Sequence, residues 1–296
     1  MKRQMQSRSI GRKDKTFLAM LLPIMVLFFL FNTLPLLQGF AYSFTNFRGF
    51  GSYDFVGLRN YVNLFQDDRI GHSYQFTFLV AIVTTIIVNV ISLVLAIGLN
   101  SKIRFKSTLR GIYFIPAVLG GLVIGYIFNF FFTYILPAFG QAVGSATLSS
   151  SFLSNPQLAW IAVVIVVAWQ SIAMNTIIYI SGLQTVPQDV YEAGALDGAT
   201  GWKKFKNLTL PLIMPFVTIN MVLCMKNFLM VFDQIMSLTK GGPAQSTESI
   251  SYLIYNNGLG GGQFGYQSAN AVIFFVVIVI ISLLQLKFLG SKEEQL

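Results

Sequence analysis

Apolar residues in this chain fall in long blocks, and polar residues gather in the gaps between them. The blocks cover residues 17 to about 37, 76–99, 111 to about 134, 158 to about 183, 212 to about 238, and 268–289. Each has the roughly 20 predominantly apolar positions that a helix needs to cross a bilayer. The pattern therefore predicts an all-α integral membrane protein with six transmembrane helices. The first block outruns the roughly 7–15 apolar residues of a signal-peptide core, so it reads as an uncleaved span with Pro23 and Pro35 as kinks. The second is about 36 Å long at 1.5 Å per residue, enough to cross with tilt. In the third, Gly121 and Gly125 form a GxxxG that permits close helix packing.

Composition agrees with the pattern. Of 296 residues 54% are hydrophobic and only 10% charged, with a mean hydropathy of +0.66, against roughly 25% charged in soluble domains. The net charge of +9 does not point to nucleic acid, because Lys and Arg cluster beside the apolar blocks, where topology signals lie. Lys2, Arg3, Arg8, Arg12, Lys13, Lys15, Lys102, Arg104, Lys106, Arg110, Lys203, Lys204, Lys206, Lys287 and Lys292 fall on one side of a six-span topology. Only Arg48, Arg59, Arg69 and Lys240 fall on the other, with Lys226 inside a span. Cytoplasmic loops carry the excess of Lys and Arg, so both termini and the gap 184–211 are expected in the cytoplasm. The expected division is a cytoplasmic tail 1–16, a six-helix domain 17–290 and a cytoplasmic tail 291–296.

Little in the chain suggests chemistry. Cys224 is a single thiol in an apolar run and reads as a small hydrophobe. His72 is the lone histidine, so no metal site is expected. No nucleophile, base and orienter recur at a usable spacing, so no catalytic residue is assigned.

The gap 184–211, QTVPQDVYEAGALDGATGWKKFKNLTLP, is polar between two oily blocks and is expected at a membrane surface. Thr185 followed by Gln188 resembles a capping box, and Pro187 is tolerated in a first turn. Val186, Val190, Ala193 and Leu196 recur at helical spacing opposite Gln188, Asp189 and Glu192. Gly198 suits a left-handed helix end, and Thr200 suits the start of a second short helix through Trp202, Lys203, Phe205 and Lys206 toward Pro211. A solvated interfacial loop and a partner-docking element are both open on these grounds.

The string Glu192-Ala193-Gly194, three residues, Gly198, nine residues, Leu208-Thr209-Leu210-Pro211 resembles the EAA motif of permease subunits in binding-protein-dependent ABC importers. It departs from the family pattern at Gly194, where the motif has alanine, and at Leu208, where it has isoleucine. Two further stretches, 57–65 (GLRNYVNLF) and 232–243 (FDQIMSLTKGGP), are similar to the carbohydrate-uptake branch, in particular to maltose-type and glycerol-phosphate-type permeases.

The resemblance implies a type I ABC importer fold in a bacterial cell membrane. It also implies a second homologous permease, two cytoplasmic ATP-binding subunits and an extracytoplasmic sugar-binding protein. No Walker A pattern occurs in the chain, so ATP and Mg would belong to the partner ATPase and the chain itself is not an enzyme. The residues implied for ATPase coupling are Tyr191, Glu192, Ala193, Gly194, Asp197 and Gly198. Val190, Ala193 and Leu196 would supply an apolar face and Glu192 a polar contact.

An oligosaccharide is the expected cargo, with a sugar phosphate or glycerol phosphate as the alternative, which Lys226 would suit. An ion-coupled secondary transporter is the rival, but it would need inverted repeats. Lys226, Asn227 and Asp233 are candidates for the substrate pathway, with Asn175 as a weaker one. Lys226 near mid-span would cost roughly 2.5–3.5 kcal/mol facing lipid. Seven residues apart, Lys226 and Asp233 are expected to share one helical face, lining the pathway or satisfied by neighbouring helices. Asn89 reads as an interhelical hydrogen-bond former, and Phe128, Phe130, Phe131 and Phe132 as packing residues. Trp160 reads as an interfacial anchor.

Overall fold

The computed structural model of the chain describes residues 12–101 and 106–293. Lys2, Arg3, Arg8, Lys102, Arg104 and Glu294 lie outside the described residues, as do the side chains of Arg12, Lys13, Lys15, Lys106, Arg110, Lys292 and Glu293. Helix α1 spans Phe17–Tyr42, and α2, Arg59–Leu64, lies in the loop that follows. Next come α3 (Asp68–Asn100), α4 (Lys106–Val118) and α5 (Gly121–Ala142). Helices α6 (Ala159–Thr185), α7 (Gln188–Leu196) and α8 (Gly201–Leu212) lead into α9 (Met214–Leu229). The chain ends with α10 (Asp233–Leu238), α11 (Ile250–Tyr255) and α12 (Phe264–Glu293).

Five of these helices are long and apolar enough to cross a membrane, or six if α8 and α9, bent by 73° at their junction, form one span. Helix α3 packs along α6, α9 lies against α3 and α12, and α10 lies against α5. Small residues let the two central helices approach: Ala81 and Ala96 on α3 and Ala162 and Ala168 on α6 are buried, the means of packing expected where lipid tails remove the hydrophobic drive. Polar groups join the helices as well. The Tyr179 hydroxyl donates to Asn89 Oδ1 at 2.6 Å, and Ser92 Oγ donates to the Ile172 carbonyl at 3.1 Å.

Three Leu-Pro pairs interrupt helices in the same way. Leu34-Pro35, Leu136-Pro137 and Leu210-Pro211 each follow a π-helical turn, in which the leucine N–H reaches back five residues to a phenylalanine carbonyl, of Phe29, Phe131 and Phe205 respectively. Proline removes one donor and crowds the turn before it. Widening that turn finds new partners for the freed backbone groups.

Two expected spans are broken. The third block is divided at Leu119 and Gly120, and its second half runs on to Ala142. The fifth is divided between Leu229 and Asp233. Lys226 and Asp233 therefore do not share a face, because they belong to different helices. Asp233 sits in the first turn of α10, where the helix dipole favours an acid. Each break exposes a carbonyl that a side chain satisfies: Gln170 Nε2 donates to Leu119 O at 3.0 Å and Ser249 Oγ to Val231 O at 2.9 Å.

The GxxxG does pack an interface. Gly121 faces Asp233 and Gly125 faces Ser237, which brings α5 against α10. The stretch 57–65 holds Asn60, a buried residue whose amide donates to the carbonyls of Ser43 and Thr45 at 2.8 and 2.9 Å. The other stretch, 232–243, leads to Glu248, 3% exposed and gripped at both oxygens by Arg69 at 2.8 Å.

Candidate functional site

Much of the segment between α6 and α9 is exposed. Helix α7 ends in a Schellman turn: the Ala199 N–H donates to Gly194 O at 2.8 Å and the Gly198 N–H to Ala195 O at 3.1 Å. Gly198 closes it at φ +75°, a conformation that costs other L-residues roughly 1–2 kcal/mol. The capping box expected at Thr185 does not form. Helix α6 runs on through Thr185, whose hydroxyl donates back to Gly182 O at 2.7 Å, so α7 starts after Pro187 without a side-chain cap. Burial of Leu183 holds that last turn of α6 in place. Thr200 does precede α8, again without a side-chain cap.

The two faces of α7 are distinct. Gly194 is buried, with Leu208 of α8 against it, and the Tyr191 ring lies 4.1 Å beneath Lys204 Nζ. Glu192, Ala193 and Asp197 are exposed, and Leu196 is 92% exposed. Gln188 Nε2 donates to Glu192 Oε1 at 2.9 Å, leaving the other carboxylate oxygen free of the helix. An apolar tip flanked by acids thus projects from a turn that is held rigidly.

A cavity of about 410 Å³ opens between the two helix breaks. Its polar lining is Gln170 and Ser171 of α6, Asn227 of α9, and Asp233 and Gln234 of α10, with Met174, Phe228 and Phe232 as apolar walls. Gln234 Nε2 donates to Gln170 Oε1 at 2.6 Å, tying both breaks to one side chain. Of the four pathway candidates, Asn227 and Asp233 meet here. Lys226 is exposed on α9 outside this lining.

Asn175 makes interhelical bonds. Its Oδ1 accepts from Cys224 Sγ at 3.1 Å and its carbonyl accepts from Asn220 Nδ2 at 3.4 Å. Gln170 and Ser171 were not singled out in the sequence, although a Gln-Ser pair midway along an otherwise apolar block is a readable signal. Phe132 is buried and Phe128 packs on Trp169 at 5.2 Å, while Phe130 is 57% exposed. Trp160 lines a second cavity at the far end of α6 with His72 and Gln75.

Residues 88–291 match the family described as binding-protein-dependent transport system inner membrane component. The chain is 40% identical over 280 residues to the multiple sugar-binding transport system permease protein MsmF of Streptococcus mutans, covering 94% of this chain and 95% of that one. It is 34% identical to the probable starch degradation products transport system permease protein AmyD of Thermoanaerobacterium thermosulfurigenes, covering 88% and 89%. It is 31% identical to the trehalose/maltose transport system permease protein MalF of Thermococcus litoralis, covering 93% and 94%. A chain of a bacterial alginate ABC transporter, crystallised in complex with an alginate pentasaccharide-bound periplasmic protein, has the same fold, with a TM-score of 0.79 at 21% identity over 92% and 93% of the two chains. The chain has the ABC importer permease fold and belongs to the family of inner membrane components of binding-protein-dependent transport systems.

Proposed function

We propose that this chain is one membrane-spanning half of an ATP-driven sugar importer, with an oligosaccharide as cargo. The observation that carries this reading is its 40% identity, over 94% of its length, to a permease named for multiple sugars. The other half would be a second homologous permease, with an external sugar-binding protein delivering the cargo and two ATPase chains supplying ATP hydrolysis. Both termini and the segment 184–211 would be cytoplasmic, as the distribution of Lys and Arg implies.

Helix α7 is suited to an ATPase cleft: Leu196 and Ala193 offer apolar contact, Glu192 and Asp197 offer charge, and the Schellman turn at Gly198 keeps the tip rigid. Movement there would pass through α8 and α9 to the cavity between the breaks. That cavity presents amides, a hydroxyl and a carboxylate beside Phe228 and Phe232, the mix of polar groups and rings that suits a sugar.

A glycerol-phosphate importer is the second reading, since UgpA of Brucella abortus is 29% identical over 92% of this chain. The cavity disfavours it. Its one charged lining residue is Asp233, an acid, and Lys226 stands outside. Proteoliposomes holding this chain with its partner permease, ATPase and binding protein test the proposal. Sugar uptake that requires ATP is expected, whereas uptake by this chain alone on an ion gradient would overturn it.

A further inference from the structure

A groove of about 700 Å³ runs between the Asn100 end of α3 and the segment α7–α8. One wall is apolar: Val90, Val94 and Ile97 of α3 are 58%, 63% and 41% exposed. These three positions span roughly 10 Å along the helix at 1.5 Å per residue. The other wall carries Trp202, Phe205, Tyr191 and Lys204. Trp202 is 72% exposed and packs on Phe205 at 5.2 Å between ring centres. Among the described residues no carboxylate pairs with Lys203, Lys204 or Lys206, and Lys204 meets only the face of Tyr191. A stem of aliphatic side chains inside a membrane span thus leads, within one groove, to a tryptophan and an unneutralised ammonium group at the end of the span.

We infer that this groove binds an anionic phospholipid, with an acyl chain along Val90, Val94 and Ile97 and the phosphate at Lys204. The inference rests on segment 184–211 lying at a membrane surface and is independent of the cargo. Three features favour this occupant. Aliphatic residues exposed on a span match an acyl chain in polarity. Tryptophan prefers the headgroup level. A cation already stacked on an aromatic ring keeps its donors available for a phosphate, to which lysine binds as a point charge. Because Tyr191 lies on α7 and Val94 on α3, the lipid would fasten the tip-bearing helix to the bundle.

Native mass spectrometry of the full chain in non-ionic detergent tests this, with phosphatidylglycerol and phosphatidylcholine of equal chain length as probes. Phosphatidylglycerol should be retained more tightly. Lys204→Gln should weaken it about fivefold, and Lys203→Gln with Lys204→Gln more, as expected for a loss of one surface cation at a time. Val94→Phe, which narrows the apolar wall without touching charge, should weaken it too. Size-exclusion profiles matching the parent show that each variant is folded. Equal retention of the two lipids, unchanged affinity in the lysine variants, or displacement of phosphatidylglycerol by inorganic phosphate alone would overturn the assignment.

Discussion

Ser237 occupies the space that a side chain at position 125 would need. A Cβ built on Gly125 falls 2.8 Å from Ser237 Cβ, and closer still to its Oγ. That hydroxyl is itself fixed, donating to Asp233 O at 2.6 Å.

Gly125→Ala must therefore push α10 away from α5. Overpacking of this kind costs typically 1–3 kcal/mol. A lowered thermal midpoint in detergent is expected, and Ser237→Gly combined with it should restore most of the loss. A double variant no more stable than Gly125→Ala would show that the contact is not the cause.

Glu248→Gln removes the charge and leaves Arg69 a single acceptor oxygen, with an amide NH2 where the second one stood. Glu248 is 3% exposed and Arg69 36%, so solvent recovers part of the loss and about 1–3 kcal/mol of destabilisation is expected. Arg69→Lys should also destabilise, since an ammonium cannot grip two oxygens as a guanidinium does. Comparing the two variants' midpoints with the parent's checks both.

Gly198→Val forces a β-branched residue into φ +75°. The Schellman turn should loosen at a cost of at least 1–2 kcal/mol while the spans still insert. In the assembled transporter, this variant and Glu192→Lys are expected to lose sugar uptake and stimulated ATP hydrolysis while membrane abundance stays normal. Wild-type rates in both would remove α7 from the coupling path.

Asp233→Asn and Asn227→Ala change the cavity lining without altering helix contacts deep in the core. Uptake should show a raised KM, by about tenfold if each loses one hydrogen bond of about 1.4 kcal/mol to the sugar. Lys226→Gln, outside the lining, should leave KM near the parent value. An equal effect at all three positions would mean the cavity does not discriminate.

Much of the fold was legible because bilayer length is a coarse signal spread over many residues. The helix breaks were not, because the residues that make them tolerable are distant: Gln170 for Leu119, and Ser249 for Val231. Gln170 itself was readable, as a polar residue midway along an apolar block, but its link to Leu119 and Gln234 was not. In the segment 184–211 the ending at Gly198 was readable from one glycine and its neighbours. The start at Thr185 was misjudged because packing of Leu183 carries α6 past a local capping signal. The pairing of Arg69 with Glu248 left no trace in either neighbourhood.

That pair also bears on the order of assembly. Its partners are 179 positions apart, so at roughly 5–20 residues per second Glu248 is synthesised about 10–40 s after Arg69. Through that interval the Arg69 guanidinium, at the head of α3, lacks the two acceptors that grip it in the folded chain. The Arg69–Glu248 grip is therefore a late clasp, made only once the chain beyond α10 has emerged.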